Sequence, residues 1–139
     1  MEPAAGLTAF GWNGAGQLGT GDKKDMKRPG SVQPLEDKHV SMVACGGPYT
    51  VLATDSDEVW AFGANARGQL GLGEQSDESL VPKQLPPPAG LLSWKVELIA
   101  CGYAHTVFLI EDLCVTPVST TVYPPSPTVL CVLTVTCTT

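Results

Sequence analysis

Basic residues are scarce in this sequence, which bounds the kind of partner that the protein can bind. The chain has 8 lysines and arginines against 14 aspartates and glutamates, so its net charge is −6 at pH 7. A surface of this sign repels a polyphosphate backbone. We therefore expect no strong binding of nucleic acid and look for a protein partner instead.

Long apolar runs are missing as well. No segment approaches the roughly 20 consecutive apolar residues of a membrane-spanning helix. The first residues, MEPAAGLTAF, have neither the basic start nor the apolar stretch of a secretory signal. We expect no membrane span and an intracellular protein, located in the cytoplasm or the nucleus.

Histidines and suitably spaced cysteines are too few for a metal centre. The chain has 2 histidines and 5 cysteines, and no two cysteines have C-x-x-C spacing. An odd number of cysteines without a secretory signal argues against a disulfide framework. Neither histidine lies near the cysteines in a pattern typical of zinc sites. We expect no metal and no cofactor.

Glycine, in contrast, is abundant, and its main cluster occurs twice. Residues 9–21 read AFGWNGAGQLGTG, and residues 61–73 read AFGANARGQLGLG. A later pair of segments, VACGGPYTVL and IACGYAHTVFL, aligns Cys45 with Cys101. The chain therefore contains two copies of an internal sequence repeat. The repeated positions are Gly11, Asn13, Gly16, Gln17, Leu18, Gly19 and Gly21 in the first copy, and Gly63, Asn65, Gly68, Gln69, Leu70, Gly71 and Gly73 in the second.

The repetition decides how the glycine cluster is interpreted. The run from Gly14 to Gly19 spells G-x-G-x-x-G, the fingerprint of dinucleotide-binding loops. In the second copy the first of these glycines is replaced by Ala66, although a dinucleotide-binding turn requires it. The polar segment after Gly19 also lacks an amphipathic helix pattern. We therefore expect that the chain is not an enzyme. The alternative, from a different functional class, is a nucleotide-binding enzyme that uses the run from Gly14 to Gly19.

The segments between the glycine clusters are typical of β-strands. VSMVACG, YTVLAT, EVWAFG, WKVELIACG and HTVFLIE are short, rich in apolar and β-branched residues, and bounded by Gly, Pro or Asp. Four short strands in each unit of about 50 residues predict the blade of a β-propeller. In such a blade we expect Leu18 and Leu70 to point into the core and Cys45 and Cys101 to be small buried side chains.

The pattern F-G-x-N-x-x-G-Q-L-G-x-G, followed by A-C-G-x-x-H-T, resembles the repeat of the regulator of chromosome condensation family. The resemblance covers residues 7–112 and implies an all-β fold, a partial propeller of about two four-stranded blades from a seven-bladed architecture. It also implies that His105 holds a blade together by hydrogen bonding. This chain departs from the pattern at Tyr49, where the family has histidine, and at Asp57, where it has a turn glycine.

Residues 113–139 differ from the repeats. They carry no charge and are rich in Thr, Val and Pro. We divide the chain into repeats (1–112) and this tail (113–139), which we expect to be non-native sequence, disordered, or irregular β-structure. One alternative for the whole chain is accordingly a truncated or non-functional fragment. Open blade edges would also favour self-association.

The family resemblance implies a non-catalytic protein-interaction module, related to guanine nucleotide exchange on a small Ran-like GTPase. Partner contact is expected where corresponding loops of the two repeats carry charges of different sign. These positions are Asp22, Lys23, Lys24, Lys27 and Arg28 in the first repeat and Glu74, Asp77 and Glu78 in the second.

Overall fold

The computed structural model describes residues 6–73, 76–87 and 95–111, together with the backbone of 131–135. Every regular element in this part of the chain is a β-strand. The strands are β1 (Thr8–Gly11), β2 (Met26–Ser31), β3 (Val40–Cys45), β4 (Tyr49–Thr54), β5 (Val59–Ala64), β6 (Glu78–Leu85), β7 (Val96–Cys101), β8 (Thr106–Glu111) and β9 (Cys131–Val135).

The strands form three successive sheets, in the orders β1-β2, β3-β4-β5-β6 and β7-β8-β9. Neighbouring strands run antiparallel, except that β9 pairs with β8 in parallel. The predicted all-β class and partial propeller are confirmed. The central sheet is the one complete four-stranded blade within the described residues.

This central blade crosses the boundary between the two sequence repeats. Strands β3 and β4 come from the first repeat, whereas β5 and β6 come from the second. Each blade is therefore built from the second half of one repeat and the first half of the next. Consecutive repeats are joined through shared sheets as well as through side-chain contact.

Two apolar cores lie between the sheets. One core joins the β1-β2 sheet to the central blade and contains Val32, Leu35, Leu52 and Phe62. The other joins the central blade to the β7-β8 sheet and includes Tyr49, Val51, Leu70, Phe108 and Ile110. Strand β4 supplies residues to both cores and is buried along its whole length, so it holds neighbouring sheets together.

The hairpin between β4 and β5 shows how a departure from the family pattern is accommodated. The backbone amide of Thr54 donates to the carbonyl of Glu58 at 2.9 Å, and Asp57 closes the turn with a φ of 59°. Aspartate tolerates this left-handed conformation better than most residues. Asp57 thus adopts the turn conformation for which the family pattern has a glycine.

An ion pair adjoins the same hairpin. Lys38 Nζ lies 2.8 Å from Glu58 Oε2 and 5.7 Å from the centre of the Trp60 ring. The hydrogen bond from Lys38 lowers the pKa of the Glu58 carboxyl. Charged groups therefore tie the start of the central blade to its β4-β5 turn.

Two remaining expectations concern the membrane and the tail. None of the described residues forms a helix with the length and apolarity that a bilayer span requires. In the tail, the backbone of β9 pairs with β8 in parallel, and the nature of the tail as a whole stays a prediction. Residues 112–130 and 136–139 lie outside the described part of the chain.

Candidate functional site

Four connections converge at one end of the sheets and form what we call the loop face. They are the loop 12–25, the described parts 65–73 and 76–77 of the loop between β5 and β6, and the turns 46–48 and 102–105. Thr50 Oγ1 at the start of β4 donates to the carbonyl of Gln17 at 2.8 Å. Thr106 Oγ1 at the start of β8 makes the same bond with Gln69 at 2.8 Å. Each glycine loop is thereby anchored to a strand of the adjoining turn.

A buried asparagine organises each glycine loop. Asn13 Oδ1 accepts from the backbone amide of Leu18 at 3.0 Å, and Asn65 Oδ1 accepts from that of Leu70 at 3.1 Å. Both asparagines and both leucines are buried. The glutamine side chains bond within the loops as well, since Gln17 accepts from Ala15 and Gln69 accepts from Arg67. The repeated polar residues therefore shape the loops.

The same hydrogen bonds explain why the glycine run does not cradle a phosphate. A phosphate loop presents its backbone amides to the ligand. Here the amide of Gly16 donates to the carbonyl of Asn13 at 3.0 Å, and that of Gly19 donates to Gly16 at 3.0 Å. The amide of Leu18 is bonded to the Asn13 side chain. These donors are already used inside the loop.

The repeated glycines adopt matching left-handed conformations in the two loops. At Gly19, whose φ is +71°, an added Cβ would also lie 2.9 Å from the Phe62 ring. A side chain at this position would therefore meet both backbone strain and overlap. Positive φ angles occur at Gly11, Gly16, Gly19 and Gly21 and at their counterparts Gly63, Gly68, Gly71 and Gly73.

Tyr49 links the central blade to the β7-β8 sheet. Its side chain is fully buried, and its hydroxyl donates to the carbonyl oxygens of Gly102, at 3.0 Å, and of His105. Thr106 Oγ1 donates to the same hydroxyl at 3.2 Å. Burial raises the pKa of Tyr49 to about 12. This residue therefore contributes three hydrogen bonds to the connection between neighbouring sheets.

The expected burial of Cys45 is wrong, whereas the hydrogen-bonding role of the His105 side chain stays a prediction. His105 is exposed, with its ring over Gly102, and its backbone carbonyl accepts a hydrogen bond from Tyr49. Cys45 is exposed, whereas Cys101 is half-buried. Cys101 lies against the core that contains Tyr49, but no described strand covers Cys45 in the same way. Burial raises the pKa of the Cys101 thiol.

The two charged segments lie against each other at the outer side of the loop face. Lys23 Nζ is 2.5 Å from Glu78 Oε1, and the backbone amide of Gly21 donates to the carbonyl of Leu80 at 2.9 Å. Asp77 is exposed nearby and accepts from Asn65 through its backbone carbonyl. Glu74 lies outside the described residues. Segments distant in sequence thus form one charged rim.

The acids and the bases of the first charged segment have different surroundings. Asp22 Oδ1 accepts from the backbone amide of Lys24 at 3.1 Å and from Thr20 Oγ1 at 3.0 Å. These bonds, led by the one from Lys24, lower the pKa of Asp22. Asp25 Oδ1 accepts from the backbone amide of Asn13 at 2.9 Å. Both carboxylates are therefore used within their own loop.

Aromatic side chains add an apolar element to the loop face. Tyr103 is 81% exposed and Trp12 is 63% exposed, which is unusual for side chains of this size. Trp60, in contrast, is partly buried against the first core, and Trp94 lies outside the described residues. The exposure of Trp12 could not be predicted, because no pattern in the sequence distinguishes an exposed loop tryptophan from a buried one.

Groups suited to metal binding are not assembled in the described residues. No cluster of three or more His, Cys, Asp or Glu side chains occurs there that could hold a metal ion. A cavity of about 240 Å³ between the β1-β2 sheet and the central blade is lined mainly by apolar groups, including Leu18, Val43 and Phe62. The loop face is thus the better candidate site.

Comparison with solved structures agrees with the propeller architecture. The structure of human WBSCR16 matches with a TM-score of 0.68 at 23% sequence identity, over 78% of this chain and 27% of that protein. Prp20p from Saccharomyces cerevisiae matches with a TM-score of 0.60 at 16% identity, over 75% of this chain and 26% of that protein. At these identities the likeness concerns the fold.

Sequence comparison identifies the family. The ultraviolet-B receptor UVR8 of Arabidopsis thaliana is 34% identical over 104 residues, which are 75% of this chain and 23% of the receptor. The chain therefore spans about a quarter of the length of these relatives. The family model for the regulator of chromosome condensation (RCC1) repeat matches residues 7–53 and 56–109. The chain belongs to the RCC1 repeat family.

Proposed function

We propose that this chain is a non-catalytic protein-interaction module that binds a macromolecular partner through its loop face. One observation carries the proposal: loops from both repeats meet on a single face that exposes two large aromatic side chains beside a charged rim. Exposed aromatic residues surrounded by polar groups are typical of protein-binding surfaces. The motif residues below this face are used for internal bonding, so the exposed side chains remain for contact.

The finer proposal is that the partner is a small Ran-like GTPase, and that the chain is part of an intracellular factor that promotes guanine nucleotide exchange. Two points support it. The family resemblance implies this activity, and the structure of Prp20p, which shares the fold, was described together with its binding to Gsp1p and histones. Exchange requires binding energy that competes with the nucleotide, and no covalent chemistry on the module itself.

Two variants of the chain test the proposal. Trp12→Ala with Tyr103→Ala removes the exposed aromatic groups of the loop face. Val43→Ala with Leu98→Ala removes apolar groups that are 48% and 56% exposed on strands β3 and β7, and serves as the matched control. Binding of a Ran-like GTPase is measured by calorimetry, and exchange by release of a fluorescent guanine nucleotide.

We expect the loop-face variant to lose at least about tenfold in affinity, because exposed aromatic anchors dominate many interfaces. The control variant should bind as the wild type does. Equal losses in the two variants would contradict the assignment of the face. Binding without nucleotide release would support the interaction module and refute the exchange activity.

A further inference from the structure

The charged rim differs between the two repeats in a way that the fold does not require. Gly11 pairs with Met26 in the β1-β2 sheet, and Gly63 pairs with Ser79 in the central blade, so Met26 and Ser79 are equivalent positions. By this register the exposed bases Lys24, Lys27 and Arg28 correspond to Asp77, Leu80 and Val81. The same scaffold therefore forms with cations or without them.

We call these three bases, which lie within residues 24–28 of the sequence, the cationic rim of the first repeat. All three are exposed, whereas Lys23 is engaged with Glu78 across the two loops. The acids that alternate with them in the sequence, Asp22 and Asp25, accept hydrogen bonds from backbone amides of their own loop. The rim therefore presents flexible ammonium and guanidinium groups beside carboxylates that the loop holds in place.

We propose that the cationic rim docks a short acidic segment of a partner protein. This inference rests on the proposed function and names the chemistry of the partner. Opposite charges across an interface steer encounter and fix orientation. The scaffold accepts an acid and two apolar residues at the equivalent positions of the second repeat, so the three cations serve recognition.

Two features favour an acidic protein segment over nucleic acid. Typical nucleic-acid binders place about 6–10 cationic contacts along the phosphate backbone, whereas the rim offers three. In addition, Glu78 pairs with Lys23, the residue that precedes the rim, and the chain as a whole carries a net charge of −6. A short acidic segment can engage the rim and avoid Glu78, whereas a long polyanion would also meet the other acidic groups.

The rim would recognise the acidic segment through its side chains, and the segment would not pair with the backbone of β2 as an added strand. Lys27 and Arg28 lie on β2, whose partner in the described sheet is β1. Pro29 follows them in the same strand. Proline has no backbone amide to donate and is therefore unsuited to pairing with an added strand. The acidic segment would bind through charge-assisted hydrogen bonds to the two lysines and the arginine.

The test measures binding of a fluorescent oligo-glutamate peptide to the full 139-residue chain by anisotropy at several salt concentrations. One variant combines Lys24→Gln, Lys27→Gln and Arg28→Gln. A second combines Lys24→Asp, Lys27→Leu and Arg28→Val, the residues found at the equivalent positions of the second repeat. The matched control combines Lys38→Gln, Lys83→Gln and Lys95→Gln, which removes the same charge outside the loop face. Circular dichroism checks the folding of each variant.

We expect salt-sensitive binding by the wild type, a loss on the order of tenfold in both rim variants, and little change in the control, since each exposed ion pair contributes a factor of a few. Equal losses in rim and control variants, no binding of the peptide, or tighter binding of oligothymidylate at the same salt would each overturn the inference. If the GTPase still binds the loop face in those cases, the proposed function stands without it.

Discussion

Replacing Tyr49 by phenylalanine tests how neighbouring blades are held together. The substitution keeps the buried ring and removes only the hydroxyl, which bonds to Gly102, His105 and Thr106 across the sheet boundary. Each of these partners keeps another bond. The carbonyl of Gly102 accepts from Gly47 at 3.1 Å, that of His105 accepts from Gly102 at 2.8 Å, and Thr106 donates to Gln69 at 2.8 Å.

Because no partner is left without a hydrogen bond, the loss should be moderate. We expect Tyr49→Phe to lower the free energy of unfolding by about 1–2 kcal/mol, measured by urea denaturation monitored through circular dichroism. Tyr103→Phe is the control, since Tyr103 is 81% exposed and its substitution should change stability by less than about 0.5 kcal/mol. Equal effects of the two substitutions would refute the role given to the Tyr49 hydroxyl.

The pH dependence provides an independent check of the same residue. Burial raises the pKa of Tyr49 from 10.0 to about 12, so the folded state holds the neutral phenol more strongly than the unfolded state does. The resulting stability is present in full below pH 10 and is lost as the pH rises towards 12. The difference in stability between wild type and Tyr49→Phe should shrink over that range. A difference that stays constant would contradict the buried, protonated hydroxyl.

Three further predictions concern the loops and the hairpin. Gly19→Ala should lower the free energy of unfolding by at least about 1 kcal/mol more than Gly73→Ala does. Both glycines have a φ of +71°, but of the two only Gly19 lies close to an aromatic ring. Equal losses of stability in urea denaturation would refute the overlap at Gly19. Asp57→Gly should raise the free energy of unfolding by up to about 1 kcal/mol, because glycine adopts the φ of 59° without strain. Asp55→Gly is the control and should lower it. A loss of stability in Asp57→Gly would contradict the turn geometry. The lowered pKa of Glu58 contributes stability that is present above the ordinary pKa of 4.5 and is lost as the pH falls through the lower pKa of the folded state. The melting temperature of Glu58→Gln should lack this loss at acid pH. The same pH dependence in Glu58→Gln and wild type would exclude the ion pair as its source.

Much of the candidate site could be read from local sequence, and some of it could not. The equivalence of Asn13 and Asn65, and of each loop glycine and its counterpart, follows from the sequence repeat. The role of Tyr49 did not follow, because the family pattern has histidine at this position. The bonds of the Tyr49 hydroxyl depend on the neighbouring β7-β8 sheet, which supplies Gly102, His105 and Thr106 as its partners.

Charge on the loop face shows the same limit. Residues 22–28 alternate in sign, and their sequence cannot tell which side chains are engaged by the loop. Asp22 and Asp25 are bonded to backbone amides at 3.1 and 2.9 Å, and Lys23 pairs with Glu78 from the other repeat. Only the folded arrangement separates these groups from the exposed bases.

The all-β class and the repeated glycine loops follow from local sequence, because strand patterns and the glycine motif are local properties of the chain. Three features depend on the folded arrangement: each blade joins halves of two repeats, Cys45 is exposed whereas Cys101 is half-buried, and two distant charged loops meet at one rim. Those outcomes depend on which strands and side chains become neighbours, and a repeat pattern has no inherent starting point from which its sheet boundaries could be known.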